Sequence, residues 1–326
     1  MQETIEADPS VEAAVDPAFR EDVLRGLREP QPAIPARWLY DRRGSELFDD
    51  ITRLDSYYPT RTETRIMRDN AADIAAKVGT GGALIEFGAG SVTKTPLMIE
   101  ALRPDHYVPI DISGDYLRDS AKRLQTEYPG LAVDPVEADF TKPFDLPDAI
   151  QGLHRIGFFP GSTIGNFVPR SATDLLRTFR DILHADSHLL IGMDRVKDIG
   201  RLIAAYDDPE GVTASFDMNL LTRINRELDG TIPEEAFHHE ARWNEMLGRI
   251  EMHLVADRDV RFAVAGEPFS FAQGDTIHTE NSHKYGPRGA RTLLLGGGWT
   301  PVAEWTDEAD DFAFILAEAQ PNRFAP

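Results

Sequence analysis

The chain has 326 residues and no cysteine, with 55 acidic against 34 basic side chains and a net charge of −21. That length allows one large domain or two ordinary ones with a real core, and the missing thiols exclude disulfides, thiolate catalysis and cysteine zinc sites. The charge argues against nucleic acid, which demands a basic stripe, and against an anionic membrane surface. No apolar run approaches membrane-spanning length, and the N-terminus MQETIEADPSVEAAVDPAF lacks the apolar stretch of a secretory signal. A cytoplasmic protein is expected.

Residues 1–16 read as loose and polar. Glu21 to Arg28 is a short helix, QPAIPAR a proline-punctuated linker, and Ser45 caps a helix (ELFDDITRL) with an apolar stripe of Leu47, Ile51 and Leu54. WLYDRRG and SYYPTRTE read as loops, and a helix spans Glu63–Val78. Next comes ALIEFGAGSVTKT from Ala83 to Thr95, a buried strand, a glycine turn and a helix. Gly88 and Gly90 let backbone approach a ligand, and the following helix offers free N–H groups. Thr93 stands where a dinucleotide fingerprint wants its third glycine. Alone the turn fits a dinucleotide fold, a methyltransferase or a tight connection.

The later strands decide. YVPID ends in Asp111, about 20 residues past the turn, where a ribose acceptor belongs. LAVDPVEADF ends in Asp139 and Phe140, RIGFFPGSTIGN opens into a small-residue loop, an amphipathic helix covers Asp174–Leu183, and HLLIGMD is a further strand. Such alternation predicts an α/β fold with a doubly wound parallel sheet, whose ligands sit at the carboxyl ends of the strands. Glu86, Asp111 and Asp139 all lie at such ends. The segment Asp198–Tyr285 breaks the alternation with two helices and antiparallel strands, a second α+β unit. A helix over Arg288–Leu295, a turn through Trp299 and the strands VAEW and FAFILAEA close the sheet.

Tyr40, Tyr57, Tyr58 and Tyr206 fall in or near these outer segments. Each brings an apolar face and a hydroxyl, suited to a polar small molecule or a developing cation, or each staples the N-terminal segment to the core. His238, His239, His253, His278 and His283 match no tight ligand pattern and read as strand-surface histidines, so no metal is expected. The acids of SELFDD read as a solvated helix face.

The strand series resembles the class I S-adenosylmethionine-dependent methyltransferases. WLYDRRGSELFDDITRLDSYYPTRTE, PGSTIGN, RVKDIGRLIAAYDD, RIEMHL and HTENSHKY together resemble one family among them, the L-histidine Nα-methyltransferases of ergothioneine biosynthesis. The resemblance covers nearly everything after about residue 18. It implies S-adenosylmethionine as methyl donor, and L-histidine with its Nα-methylated intermediates as substrates. The implied reaction is trimethylation to hercynine by a monomer. A relative acting on another amino acid or amine, or a non-catalytic S-adenosylmethionine-binding protein, is the alternative. Residues 62–196 and 287–326 would form the cofactor domain, and 17–61 with 197–286 the substrate domain.

Carried over residue by residue, the resemblance places Glu86, Gly88, Gly90 and Lys94 in the glycine loop, Asp111 at the ribose, and Asp139 with Phe140 at the adenine. Gly161 closes the site near the cofactor. Tyr40 lies near the amine, Asn166 and Tyr206 bind the carboxylate, Tyr57, Glu280 and Ser282 meet the imidazole, and Met252 lines the pocket. Tyr40, Gly161 and Asn166 form the implied catalytic group. The residues themselves support the ring assignment. Positions 280 and 282 share one face of a strand, a carboxylate only accepts, a hydroxyl can donate, and neutral imidazole has one N–H and one bare nitrogen. Asn281 and His283 alternate away and are expected to vary.

Overall fold

The computed structural model describes residues 16–90 and 94–321; the expectation for residues 1–16 and the Thr93 position of the glycine loop lie almost wholly outside them. The chain begins with α1 (Pro17–Leu27), a 3₁₀ turn (Ala36–Leu39), α2 (Arg42–Ile51), α3 (Tyr58–Asp69) and α4 (Ala71–Val78). Then β1 (Ala83–Phe87), α5 (Thr95–Leu102), β2 (His106–Asp111), α6 (Gly114–Glu127), two short strands β3 (Ala132–Val133) and β4 (Val136–Glu137), β5 (Arg155–Phe159), α7 (Pro169–Leu183) and β6 (His188–Asp194) alternate. After α8 (Ile199–Tyr206) and α9 (Val212–Glu227) come β7 (Phe237–Asn244), β8 (Arg249–Ala256), β9 (Val260–Val264), β10 (Glu267–Phe271) and β11 (Thr276–His283). The chain ends in α10 (Pro287–Gly296), β12 (Trp299–Thr306) and β13 (Phe312–Ala319).

The main sheet has the order β12-β13-β6-β5-β1-β2-β3, with β4 also on β2. Its inner pairs are parallel, and β13 and β12 close it antiparallel. This is the doubly wound α/β architecture with a closing strand pair. The period-two rule divides its core. Ala83, Ile85 and Phe87 pack on one face with α7 and α10, whereas Leu84, Tyr107, Phe158 and Leu190 pack on the other with α3, α4 and α5. A third apolar cluster combines α1, α2, α8 and α9 with β7, β8 and β11, running from Phe19 to Ile277. The sheets β11-β8-β7 and β10-β9 belong to it. Among the described residues no helix is long and apolar enough to cross a membrane.

Several local expectations change. Asp41, not Ser45, caps α2, accepting from the Gly44 N–H at 2.8 Å. SYYPTRTE is not a loop beyond Tyr57: Pro59 sits in the first turn of α3, where its missing N–H costs nothing. The helix expected over Glu63–Val78 is two helices, because the Asn70 amide donates to Ile66 O at 2.8 Å and ends the first. Pro135 divides LAVDPVEADF into β3 and β4, since proline cannot donate to the ladder. Trp299 opens β12 rather than completing a turn.

Candidate active site

The turn after β1 is shaped by its backbone. Gly88 has φ +76°, a conformation side chains resist, and the Gly88 and Ala89 amides donate to Ile110 O at 2.8 and 3.0 Å. A Cβ on Gly88 would meet the Phe140 ring at 3.5 Å, and one on Gly90 would meet Asp111 Oδ2 at 3.5 Å. The backbone of the turn thus lies directly against the Phe140 ring and the Asp111 carboxyl, in ordinary contact range of both. Asp111 accepts from the Ser113 N–H at 2.8 Å, and burial raises its pKa. Asp139 accepts from Thr141 N at 3.1 Å and from the Arg37 guanidinium at 3.0 Å. Burial works against its charge, but Thr141, Lys142 and Arg37 hold the carboxyl below its ordinary range. Glu86 is enclosed, and its Oε2 accepts from both Thr95 Oγ1 and Tyr107 Oη at 2.7 Å, bracing β2 against α5. Burial pushes its pKa up to about 7.

Lys94 is buried against Glu63 of α3, a residue the sequence reading passed over. The fully buried Glu63 carboxylate also accepts from the Gly161 N–H at 2.8 Å. It therefore joins the glycine loop to the turn after β5. Gly161 has φ +81° and Ser162 φ +57°, an uncommon value outside glycine. Ser162 is held there by accepting from the Asp194 N–H at 2.9 Å.

The seven substrate-side residues named from sequence come together around β11. A bulge between His278 and Glu280 resets the register, placing Glu280 opposite Met252 and Ser282 opposite Ile250 on β8. Glu280 Oε1 accepts from the Asn166 amide at 3.2 Å and faces the Tyr40 hydroxyl at 3.4 Å. Asn166 reaches it because Gly165 lies against β11, where a Cβ would meet His283 O at 2.8 Å. The Tyr40 ring is wedged edge-on against Phe48 and Phe216 at 5.5 and 5.3 Å, and its carbonyl accepts from Ser113 Oγ at 2.9 Å, directly beside the Asp111 turn. Tyr57 meets the Tyr206 ring edge-on at 5.9 Å. Tyr206 Oη and Ser282 Oγ are 2.7 Å apart, and the Lys284 ammonium donates to both. Tyr58, by contrast, is a staple: its hydroxyl donates to Asp194 at 2.6 Å beneath Lys197 and Arg201.

Glu280 and Ser282 are 8% and 3% exposed, so this is no solvated surface strand. Burial, with the nearby Asp217 charge, pushes the Glu280 carboxyl up to about 8, against the Tyr40 hydrogen bond and the Lys284 and His239 charges. Burial likewise holds the Tyr40 phenol well above its ordinary value, with the Glu280 charge adding to it.

The histidines correct their expectation. His239, His253 and His283 are buried rather than on a strand surface, and only His238 of the five is exposed. His239 is clamped between Asp217 Oδ2 and Tyr206 O, each at 2.7 Å, and so anchors the end of α8. Among the described residues no group of three or more His, Asp or Glu side chains is arranged to hold a metal. Lys284 also escaped the sequence reading, although the alternation that selected 280 and 282 continues to it.

Residues 19–319 match the family described as histidine-specific methyltransferase, SAM-dependent. The histidine N-alpha-methyltransferases of Mycobacterium tuberculosis (strain CDC 1551 / Oshkosh) and Mycolicibacterium smegmatis (strain ATCC 700084 / mc(2)155) are each 40% identical over 306 residues, covering 92% of this chain and 94% of theirs. Ergothioneine biosynthesis protein 1 of Neurospora crassa is 29% identical over 300 residues, 88% of this chain and 33% of that protein. The chain belongs to the histidine-specific, S-adenosylmethionine-dependent methyltransferase family.

Proposed function

We propose that this enzyme methylates the α-amine of L-histidine three times to give hercynine, the first step of ergothioneine biosynthesis, and that it works as a cytoplasmic monomer. The carrying observation is the enclosed set on β11, where a carboxyl (Glu280), which becomes a pure acceptor once it has ionised, and a hydroxyl (Ser282) share one face next to Asn166, Tyr40 and Tyr206. It matches the two unlike nitrogens of a neutral imidazole and leaves the amino-acid end toward Asn166. Residues 62–196 and 287–326 hold the cofactor in this reading, and 17–61 with 197–286 hold the substrate; the separate apolar cluster of the outer segments supports that division.

S-adenosylmethionine supplies an activated methyl group on sulfonium sulfur, so the protein's task is placement. Gly88, Gly90, Asp111, Asp139 and Phe140 would hold the nucleoside, while Lys94 and Gly161, tied together by Glu63, shape its methionine end. Asn166 holds the substrate carboxylate with the amide N–H that Glu280 leaves free. Tyr40, kept protonated by burial, orients the amine rather than taking its proton. The hydroxyl-bearing and aromatic faces of Tyr40 and Tyr57 accommodate an ammonium that grows with each transfer. Mass spectrometry of the protein incubated with S-adenosylmethionine and the twenty amino acids tests this reading. Histidine gaining three methyl groups is expected; methylation of another amino acid instead contradicts it.

A further inference from the structure

Arg37, inside the proline-punctuated linker QPAIPAR, has no part in the reading above. Its guanidinium reaches two carboxylates. One terminal nitrogen donates to Asp139 Oδ2 at 3.0 Å and the other to Asp22 Oδ2 at 2.6 Å. Trp38 Nε1 donates to the same Asp22 oxygen at 2.9 Å, and the guanidinium carbon lies 4.7 Å from the Trp38 ring centroid. Asp22 and Trp38 thus fix the planar group from behind. Three residues on, the Tyr40 carbonyl accepts from Ser113 Oγ at 2.9 Å, beside Asp111. The 3₁₀ turn between them advances about 6 Å at its usual rise, the scale of the step from a nucleobase to its ribose. The segment therefore touches the proposed nucleoside site at both ends, at Asp139 and next to Asp111.

Asp139 is crowded with donors. Its Oδ1 accepts from Thr141 N at 3.1 Å and from Thr141 Oγ1 at 2.5 Å, and its Oδ2 from Arg37 at 3.0 Å and from Lys142 Nζ at 3.3 Å. These four donors fill the lone-pair sites of a carboxylate, so an incoming amine must displace one. Lys142 yields most readily, because its side chain is 67% exposed and its ammonium returns to water. Arg37, anchored by Asp22, stays. It also has donors to spare. A guanidinium carries five N–H groups, two of which are spent on the carboxylates, and the Arg37 Nε is buried without a hydrogen-bond partner. The result is an acceptor with a fixed donor 3.0 Å away.

We propose that Arg37 is a cofactor-binding residue, which donates to a ring nitrogen of adenine while Asp139 accepts from the adenine amine. The proposal rests on the cofactor reading and sharpens it, since adenine carries its amino donor between two ring acceptors, N1 and N7. An acceptor and a donor side by side match that edge. They oppose a 6-oxopurine, whose carbonyl would face the Asp139 carboxylate. Recognition of the base is then shared between the two parts of the chain, with Asp139 from the sheet and Arg37 from the N-terminal segment assigned to the substrate.

The test is calorimetric binding of S-adenosylhomocysteine and of its 1-deaza and 7-deaza analogues, each of which replaces one ring nitrogen with C–H. The parent should bind at least one analogue about 10-fold more weakly than S-adenosylhomocysteine, because a charged donor is left unpaired. Arg37→Met keeps the apolar stem on Trp38 and removes the donors, while Asp22 retains Trp38 and Arg25 as partners. In this variant S-adenosylhomocysteine should weaken by the same factor and that analogue should not, so the difference between them vanishes. Equal weakening of all three ligands, the outcome for a merely structural tie, would overturn the proposal, as would unchanged binding of all three. Undiminished parental affinity for both deaza analogues overturns it without any variant. Failure of the parent to bind S-adenosylhomocysteine strikes the cofactor reading itself.

Discussion

At the ends of β1 and β2, the groups proposed to hold the cofactor are placed by backbone. Gly88 adopts its left-handed turn, the turn amides bond to Ile110 O, and Asp111 is fixed by the N–H of Ser113, all within 26 residues of chain. On the substrate side, Tyr40, Tyr57, Asn166, Tyr206 and Glu280 come from five separated segments, and side-chain hydrogen bonds align them. Buried charges are correspondingly dense there: Asp194, Lys197, Lys284, Asp217 and His239 form a scaffold behind the ligand-facing atoms. A backbone cradle is generic and serves any relative that uses the same donor. A side-chain lattice is particular, and this is where the proposed function places the choice of substrate.

Variants that disturb one half should leave the other's ligand untouched. The largest effect is expected at the joint between them. Glu63→Ala leaves the buried Lys94 ammonium unpaired and frees the Gly161 turn, and breaking such a buried pair costs about 3–5 kcal/mol; a denaturant titration should show the unfolding free energy fall by that amount. Next is the cradle. Asp111→Ala should weaken S-adenosylhomocysteine binding by about 1.5–3 kcal/mol in a calorimetric titration, the scale of hydrogen bonds to a charged group, while the fold persists. Smaller still, Asn166→Ala should raise KM about tenfold for histidine and for its mono- and dimethyl forms alike, because the carboxylate assigned to it in the proposed function is unchanged by methylation.

The Glu280 effect on stability is read against pH rather than at a single condition. The Glu280 carboxyl titrates near 8 in the folded protein and near 4.3 when unfolded. The folded state keeps this proton longer, so its contribution to stability is full below the unfolded value and is lost as pH rises through about 8. Glu280→Gln removes that slope, and thermal melts of the substrate-free protein should show the variant gaining a few degrees over the parent above pH 8 but not at pH 4.

Much of the cradle was legible because its signals are local. The glycine turn, Asp111 and the bounds of β6 follow from strand alternation and from small residues at strand ends, and β6 runs from His188 to Asp194 as the apolar run predicts. The substrate side was legible only through a resemblance to a family, since no periodicity ties Tyr40 to Glu280. Errors arose where a short-range rule met tertiary context. Pro59 reads as a loop breaker but starts a helix. Ser45 resembles a cap, yet Asp41 reaches the amide first. His239, His253 and His283 read as strand-surface residues but are buried, His239 between Asp217 of α9 and Tyr206 of α8. The bulge before Glu280 has no sequence mark that alternation can detect, although it decides which strand partner Glu280 faces. Glu63 and Lys284 reveal their roles only through partners 31 and 90 residues away.

The central claim is that Glu280 reads the substrate ring from a lattice separable from the cofactor cradle. Titration of histidine into the S-adenosylhomocysteine complexes of the parent and of Glu280→Ala tests it most directly. Both proteins should take up S-adenosylhomocysteine with the same affinity, while histidine binding in the variant falls by up to about 10⁴-fold, the discrimination available to a site built on a buried hydrogen bond. Parental affinity for histidine in Glu280→Ala would contradict it.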